Sequence, residues 1–407
     1  MALWKIAFRN LGRNRRRSGL TLVAVALGMG LLVVLSGLVE GEIDLALMNS
    51  IRLKTGHLQL REESYEEEEL SLQWEDLLEQ PADLAARAAA LEEVRAATPV
   101  LWANGILGTA DDSVNVRVVG IDPGSDAHTP FRDGLVAGRF LSPDDRSSVL
   151  IGRRLADSLE LGVGSDVSLL VSTANQQPDE AVFTVGGLYD TGVPVYDGTT
   201  VLLPLDKAQA FTRTEDRASA VWILLHSRED AEAVAEVLQG PEYDLRTWQE
   251  LNSALLDAVE QSTGIMVLMY AVMLAVVAVI VANTLLMSVF ERTQEMGILA
   301  ALGMKGRQLV MMFLLEAGIL GAMGVALGLV LGGLGVLYLA TEGLHLGDMA
   351  TAVAYSEMAI PSTIYAEFAV QETLTLAIAS LVITILASLY PAWVGARMEP
   401  AEALRAL

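Results

Sequence analysis

The chain has 407 residues, 52% of them hydrophobic, a mean hydropathy of +0.42 and a formal net charge of −24 from 27 Lys+Arg against 51 Asp+Glu. A uniformly soluble globule rarely combines that hydropathy with that charge, so the two are expected in different parts of the chain. A pI of about 4.5 disfavours nucleic acid as a partner, because an acidic surface repels phosphate, and the absence of cysteine removes disulfides, thiolate nucleophiles and Cys-ligated metal centres.

Residues 1–18 form a basic, amphipathic segment carrying Lys5, Arg9, Arg13, Arg15, Arg16 and Arg17. Residues 19–39 are uncharged and long enough to cross a hydrocarbon core of about 30 Å, which takes on the order of 20 apolar residues as helix. The stretch is longer than a signal-peptide h-region, and Val39-Glu40-Gly41-Glu42 offers no small-x-small cleavage site, so it reads as an uncleaved anchor. Three further spans are predicted at 263–290, at 309–340, where Glu316 is the one charge, and at 373–395.

Six Lys+Arg precede the first span, three (Arg292, Lys305, Arg307) lie in 291–308, two (Arg397, Arg405) follow Tyr390, and none lies in 341–372. By the positive-inside rule both termini and the 291–308 loop are expected in the cytoplasm, with 40–262 and the short 341–372 loop outside. Within 41–262 there are 16 basic and 40 acidic residues, so this insert by itself carries a charge equal to the whole of the chain's −24.

The insert changes to short alternating segments, the pattern of a mixed α/β domain. Strands are predicted at 56–61, 114–121, 148–151, 166–171, 181–188, 200–203 and 220–225, and helices at 81–97, 153–160, 206–211 and 228–239. The six glutamates in 62–69 lack the spacing of a calcium loop and read as a solvated face. His57, His128, His226 and His345 are isolated from one another, no Gly-x-Ser-x-Gly elbow is present, and neither a metal, a cofactor nor a catalytic residue is expected. Residues 246–262 read as a helix running unbroken into the second span, and 40–51 as a similar continuation of the first. Stalks of this kind are stiffer than Gly/Ser linkers.

The segment Glu291-Arg-Thr-Gln-Glu-Met-Gly-Ile-Leu-Ala-Ala-Leu-Gly303 places charges first and then Met296, Ile298, Leu299 and Leu302 at near-helical spacing, with Gly303 as a C-cap. Such a helix either lies on lipid headgroups or docks an apolar knob on a cytoplasmic partner. Glu316, about two turns into the third span, is costly in a bilayer, and a basic neighbour such as Arg307 would relieve it. It reads as structural support, with a proton relay as the alternative. Gly324, Gly328 and Gly332 form a small-xxx-small row for close helix packing.

The 291–303 segment, followed by Phe313, Glu316 and Gly321, resembles the connection between the second and third spans of FtsX-like, or type VII, ABC transporter permeases. Tyr390-Pro391-Ala392 with Pro400-Ala-Glu-Ala-Leu-Arg405 is similar to that family's ending, and Trp4-Lys-Ile-Ala-Phe-Arg-Asn-Leu-Gly-Arg13 to its beginning. Val149-Leu-Ile-Gly-Arg-Arg-Leu-Ala156 with Leu161-Gly-Val-Gly164 resembles its outer domain. The resemblance is strongest to the lipoprotein-releasing, Lol-type members, to which Gly56-His-Leu-Gln-Leu60 is also similar. No P-loop sequence is present, unlike the MacB-like branch with its fused ATPase.

The resemblance implies an α-helical inner-membrane protein with four transmembrane helices and a large mixed α/β extracytoplasmic domain between helices 1 and 2. It makes Glu291, Arg292, Glu295, Met296, Gly297, Ile298, Leu299, Leu302 and Gly303 a coupling helix on a separate, dimeric cytoplasmic ABC ATPase. The chain itself is then a non-catalytic subunit, paired with a second permease chain, itself or a paralogue, in contact with membrane lipids and acting on a lipoprotein or similar amphiphile. The alternative is an FtsX-like mechanotransmitter that switches an extracytoplasmic enzyme without transport. An anchored sensor without an ATPase is the third possibility.

Overall fold

A computed structural model describes residues 15–66, 69–241, 243–345 and 363–397. The basic segment before residue 15, most of the 341–372 loop and the tail beyond 397 lie outside the described residues.

Helix α1 (Arg15–Ser50) ends in a π-turn (Ile51–Thr55) and is followed by β1 (Leu58–Arg61), β2 (Leu78–Glu79), α2 (Pro81–Ala89), β3 (Val94–Gly108) and β4 (Ser113–Ile121). A 3₁₀ turn (Asp126–His128) leads to α3 (Thr129–Asp133), β5 (Leu135–Gly138), β6 (Ser148–Gly152), α4 (Arg153–Ser158), β7 (Asp166–Ser172) and β8 (Pro178–Tyr189). Then come α5 (Pro194–Thr199), β9 (Thr200–Pro204), α6 (Leu205–Thr212), β10 (Arg217–Ala218), β11 (Ala220–Leu225), α7 (Ala231–Leu238), β12 (Asp244–Thr247) and α8 (Trp248–Leu251). Helices α9 (Ser253–Glu291), α10 (Thr293–Ala301) and α11 (Gly306–Glu342), the short strands β13 (Leu344–His345) and β14 (Thr363–Ile364), and α12 (Val370–Ala396) complete the described chain. The described residues form two compact units, one of 15–44, 258–345 and 363–397, the other of 45–257.

The first unit is helical. Four of the described helices are long and apolar enough to cross a membrane: Ser18–Thr55, Ser253–Glu291, Gly306–Glu342 and Val370–Ala396. Their outward faces remain apolar, with Leu20, Leu27, Val272, Val279, Leu334 and Ile378 all exposed, as suits side chains solvated by lipid rather than water. Inside, Val25, Met29 and Val33 of α1 pack with Leu274, Val277 and Val281 of α9 and with Val325 and Val336 of α11.

The second unit is built on a ten-stranded sheet in the order β12-β1-β11-β3-β4-β9-β6-β8-β5, with β7 pairing both β3 and β8. That double pairing closes β3, β4, β9, β6, β8 and β7 into a ring, which leaves those six strands without an open edge. The β4–β9 and β6–β8 pairs are parallel and the rest of the ring antiparallel. Alternation along β7 and β8 puts Val167, Leu169, Val171, Phe183 and Val185 into the core, whereas every residue of β9 is buried. A second cluster joins β1 and β11 to α2 and α7 through Leu58, Leu60, Val221, Ile223, Ala85 and Val234.

Two predicted helices are corrected. The helix expected over 81–97 stops at Ala89, and Val94–Ala97 open β3 instead, because pairing Ala97 with Ile223 and Val94 with Leu225 extends the sheet, and this outweighs alanine's helical propensity. The helix expected over 246–262 begins as strand β12, passes through the short α8 with its Thr247/Glu250 capping box, and breaks at Asn252 before α9 starts. The Val149–Ala156 motif has a steric reason: Gly152, where β6 meets α4, lies against the backbone of Asp197, leaving no room for a Cβ.

Candidate functional site

The loop between α9 and α11 is where charge, turn geometry and exposed apolar side chains meet. α9 and α10 are separated by a single turn at Arg292, bridged by Arg292 N–H to Val289 C=O (3.3 Å) and Met296 N–H to Arg292 C=O (3.1 Å). α10 ends with Gly303 in the left-handed region (φ 93°), while Met304 N–H returns to Leu299 C=O at 3.0 Å. This is the reversal that a glycine past a helix end permits without strain.

The apolar residues of α10 divide. Met296 is buried in a cluster with Val289, Leu309, Met312, Phe313 and Ala392, and Leu299 packs against it. Ile298 and Leu302, one turn apart, are 51% and 80% exposed. Gly297 is buried, while Glu291 and Gly303 are exposed. Gly395 makes room for this cluster, since a Cβ there would meet Val289, Met296 and Phe313 at 3.1–3.3 Å. A helix held by one face thus presents a pair of large apolar side chains on the other.

The cation beside Glu316 is Arg292, not Arg307, whose side chain is exposed. Arg292 Nη1 lies 3.3 Å from Glu316 Oε2, and Arg292 Nε donates to Glu295 Oε2 at 3.1 Å. Glu316 is 2% exposed, so its charge depends on the neighbouring cation rather than on solvent, while Arg292 is only partly buried. The bridge fixes the start of α10 to α11. Sequence distance hid Arg292, since it lies 24 residues from Glu316 while Arg307 is nine away.

The glycine row of α11 faces α1. A Cβ on Gly324 would approach Val25 Cβ at 2.7 Å, one on Gly328 would approach Met29 Cβ at 2.6 Å and the Ala26 carbonyl at 2.7 Å, and one on Gly332 would approach Val33 Cβ at 2.6 Å. The two helices are therefore closer along this line than any side chain at those positions would allow.

In the other unit two titratable side chains, His128 and Asp197, are displaced chiefly by burial. His128 is pushed down to about 3 by burial and by neighbouring Arg132, and its ring lies among Trp222 and Phe131. Asp197 is pushed up to about 6 by burial, against the opposing effect of the Thr191 N–H and hydroxyl, which donate to it at 2.8–3.1 Å. No group of three His, Asp or Glu side chains that could hold a metal ion occurs among the described residues.

Residues 18–240 match the model of the MacB-like periplasmic core domain, and residues 267–400 that of the FtsX-like permease C-terminal region. The chain belongs to the Lol/MacB-type ABC transporter permease family. Among its relatives is the lipoprotein-releasing system transmembrane protein LolC of Neisseria meningitidis, 26% identical over 329 residues that cover 77% of this chain and 78% of that one. The macrolide export ATP-binding/permease protein MacB of Bdellovibrio bacteriovorus is 22% identical over 98% of this chain and 60% of its own length. Of solved structures, the periplasmic region of MacB from Actinobacillus actinomycetemcomitans matches with a TM-score of 0.33 at 14% identity, over 54% of this chain and 97% of that one.

Proposed function

We propose that this permease works with a separate cytoplasmic ABC ATPase dimer and a second permease chain, itself or a paralogue. It turns ATP binding and hydrolysis into movement of an extracytoplasmic domain that releases lipoproteins or similar amphiphiles from the membrane. In this reading residues 40–262 and 341–372 are extracytoplasmic, and residues 291–308 and both termini are cytoplasmic, an orientation the Lys+Arg asymmetry supports. Lipoprotein as the substrate class is supported by the LolC relative, whose name states that activity.

The observation that carries the proposal is the exposure of Ile298 and Leu302 on a helix whose other face is locked by Met296 and by the Arg292 bridge. Two adjacent apolar side chains on a rigid support are what a hydrophobic groove on a partner recognises. Glu291, Glu295 and Gly303 complete the coupling segment at its ends. Glu316 acts here as structural support, and Gly324, Gly328 and Gly332 act in helix packing.

The test is co-purification of the detergent-solubilised permease with the ATPase. Leu302→Asp and Ile298→Asp should each abolish capture while leaving the permease's thermal unfolding midpoint unchanged, because neither side chain is part of a core. Capture at the wild-type level by both variants would sink the coupling role of this loop. Gly297→Asp does not serve this purpose, since Gly297 is buried and its substitution perturbs the fold.

A further inference from the structure

We infer that Asn252, with Ser50 and Thr55, forms a fixed joint that binds the distal ends of helices α1 and α9 to each other and to one strand pair of the sheet. Resting on the function proposed above, this makes Asn252 a positioning residue for coupling. It ensures that displacement of either helix reaches the domain instead of being lost in a loose linker.

The helices are long enough to need such a joint. α1 has 36 residues and α9 has 39, roughly 54 and 58 Å at 1.5 Å per residue, against a hydrocarbon core of about 30 Å. Each therefore extends well beyond any membrane span, and its far end lies inside the 45–257 unit.

At that end one buried amide ties them together. The Ser50 hydroxyl donates to Asn252 Oδ1, and Asn252 Nδ2 donates to Thr55 Oγ1 at 3.3 Å and to the Trp248 carbonyl at 2.8 Å. The Thr55 hydroxyl donates on to the Gly56 carbonyl at 2.9 Å, and the Thr55 carbonyl accepts from Gln59 Nε2 at 2.8 Å. Thr55, Gln59 and Asn252 are all buried, at 0%, 1% and 6% exposure.

From there the connection enters the sheet directly. Trp248 N–H donates to the His57 carbonyl at 2.9 Å, and β1 pairs with β12 from Leu58↔Thr247 to Arg61↔Asp244. Ile51 packs with Ala127 and Leu224, with Trp248 against them, which closes the apolar side of the joint.

Ordinary helix capping does not account for this arrangement. α8 is already capped by the Thr247/Glu250 box, and a cap reaches residues within a turn of itself. The Asn252 amide instead spends two of its hydrogen bonds on residues 202 and 197 positions away. The π-turn at Ile51–Thr55 is a further sign, because five-residue π geometry is rare and persists where the surroundings enforce it. A side-chain amide bonded on both of its polar atoms in a buried site resists sliding and rotation, since any displacement leaves polar groups unpaired.

The experiment uses the full chain reconstituted in proteoliposomes with its ATPase and second permease, measuring ATP hydrolysed and lipoprotein released in the same sample. Asn252→Leu, which removes all three of these side-chain hydrogen bonds, should keep ATP hydrolysis while the ATP consumed per lipoprotein rises by about tenfold. Ser50→Ala, which deletes one hydroxyl, should give a smaller rise. Thr247→Ala, which removes the capping box but spares the joint, should lower the unfolding midpoint and leave the ratio unchanged. An unchanged ratio in both Asn252→Leu and Ser50→Ala, or an equal rise in Thr247→Ala, overturns the joint.

A second readout needs no substrate. Amide hydrogen exchange of the full chain should show residues 48–56 and 249–256 losing protection together in Ser50→Ala, and loss confined to one of the two segments overturns the joint. A wild-type complex that releases no lipoprotein, with exchange still coupled, overturns the proposed function and leaves the mechanical link standing.

Discussion

The glycine row of α11 gives a prediction whose sign depends on position alone. Gly328→Ala adds one methyl at a point where its Cβ would stand 2.6 Å from Met29 Cβ and 2.7 Å from the Ala26 carbonyl. Carbon atoms prefer separations of about 3.5–4.0 Å, so α1 and α11 must part by on the order of 1 Å, and a gap of that size forfeits a quarter to a half of each dispersion contact beside it. Overpacking of this kind costs about 1–3 kcal/mol, against roughly 0.5–1 kcal/mol gained from replacing a helical glycine by alanine. The net loss runs from about 0 to 2.5 kcal/mol and centres on ~1 kcal/mol, which at roughly 2–4 °C per kcal/mol for a unit of this size is a fall of a few degrees in the unfolding midpoint. A methyl on Gly318 of the same helix would meet nothing within 4 Å, so Gly318→Ala keeps the helical gain and should raise the midpoint slightly. Differential scanning fluorimetry of both variants in one detergent reads the contrast. Equal shifts, or a stabilised Gly328→Ala, would refute the close approach of these helices.

His128 makes stability depend on pH. Its folded pKa of about 3 lies below the unfolded value of 6.5, so the unfolded chain takes up a proton that the folded one refuses, and stability is lost as pH falls from 6.5 toward 3. The loss is at most about 1.4 kcal/mol per pH unit, and His128→Phe, keeping the aromatic packing, should flatten the slope relative to wild type; parallel midpoint-versus-pH curves would contradict this. Asp197, with its folded pKa raised to about 6, contributes in the opposite sense between 6 and 3.8, and Asp197→Asn should remove that part. Gly152→Ala should prevent normal folding of the α/β unit, read as lost cooperative unfolding, because its Cβ would enter the Asp197 backbone. Arg292→Met should destabilise by about 3–5 kcal/mol by stripping a cation from buried Glu316, and adding Glu316→Gln should restore most of it. A double variant no more stable than the single one would show that the pair is not what holds the loop.

Much of the helical unit can be read from the sequence, because uncharged runs of about 20 residues have few alternatives and the 291–303 pattern marks its own turn at Gly303. Asp166–Ser172 is legible from its alternation, and Ala220–Leu225 from an unbroken apolar run of strand length. β3 is not, since Val94–Gly108 opens with Arg95-Ala-Ala97 and contains Pro99, and its strand character comes from partners on β4, β7 and β11 rather than from local preference. The closure of the six-stranded ring depends wholly on long-range pairing. In the candidate site, the exposed Ile298 and Leu302 could be marked as apolar, but which face of α10 is buried depends on Phe313 and Ala392, far along the chain. The pairing of Arg292 with Glu316 and the contacts of Asn252 are hidden for a related reason: each joins residues distant in sequence, and a lone polar residue carries no periodic signal.

The central claim is that ATP turnover in a partner drives release of a lipid-anchored protein through this chain. It is tested most directly by reconstituting the permease, its second permease chain and its ATPase into liposomes loaded with a fluorescent lipoprotein and following its transfer to the soluble phase. ATP should drive release by the wild type, a non-hydrolysable analogue should not, and Leu302→Asp should abolish release together with ATPase capture. ATP turnover by an assembled wild-type complex without any release would contradict this mechanism.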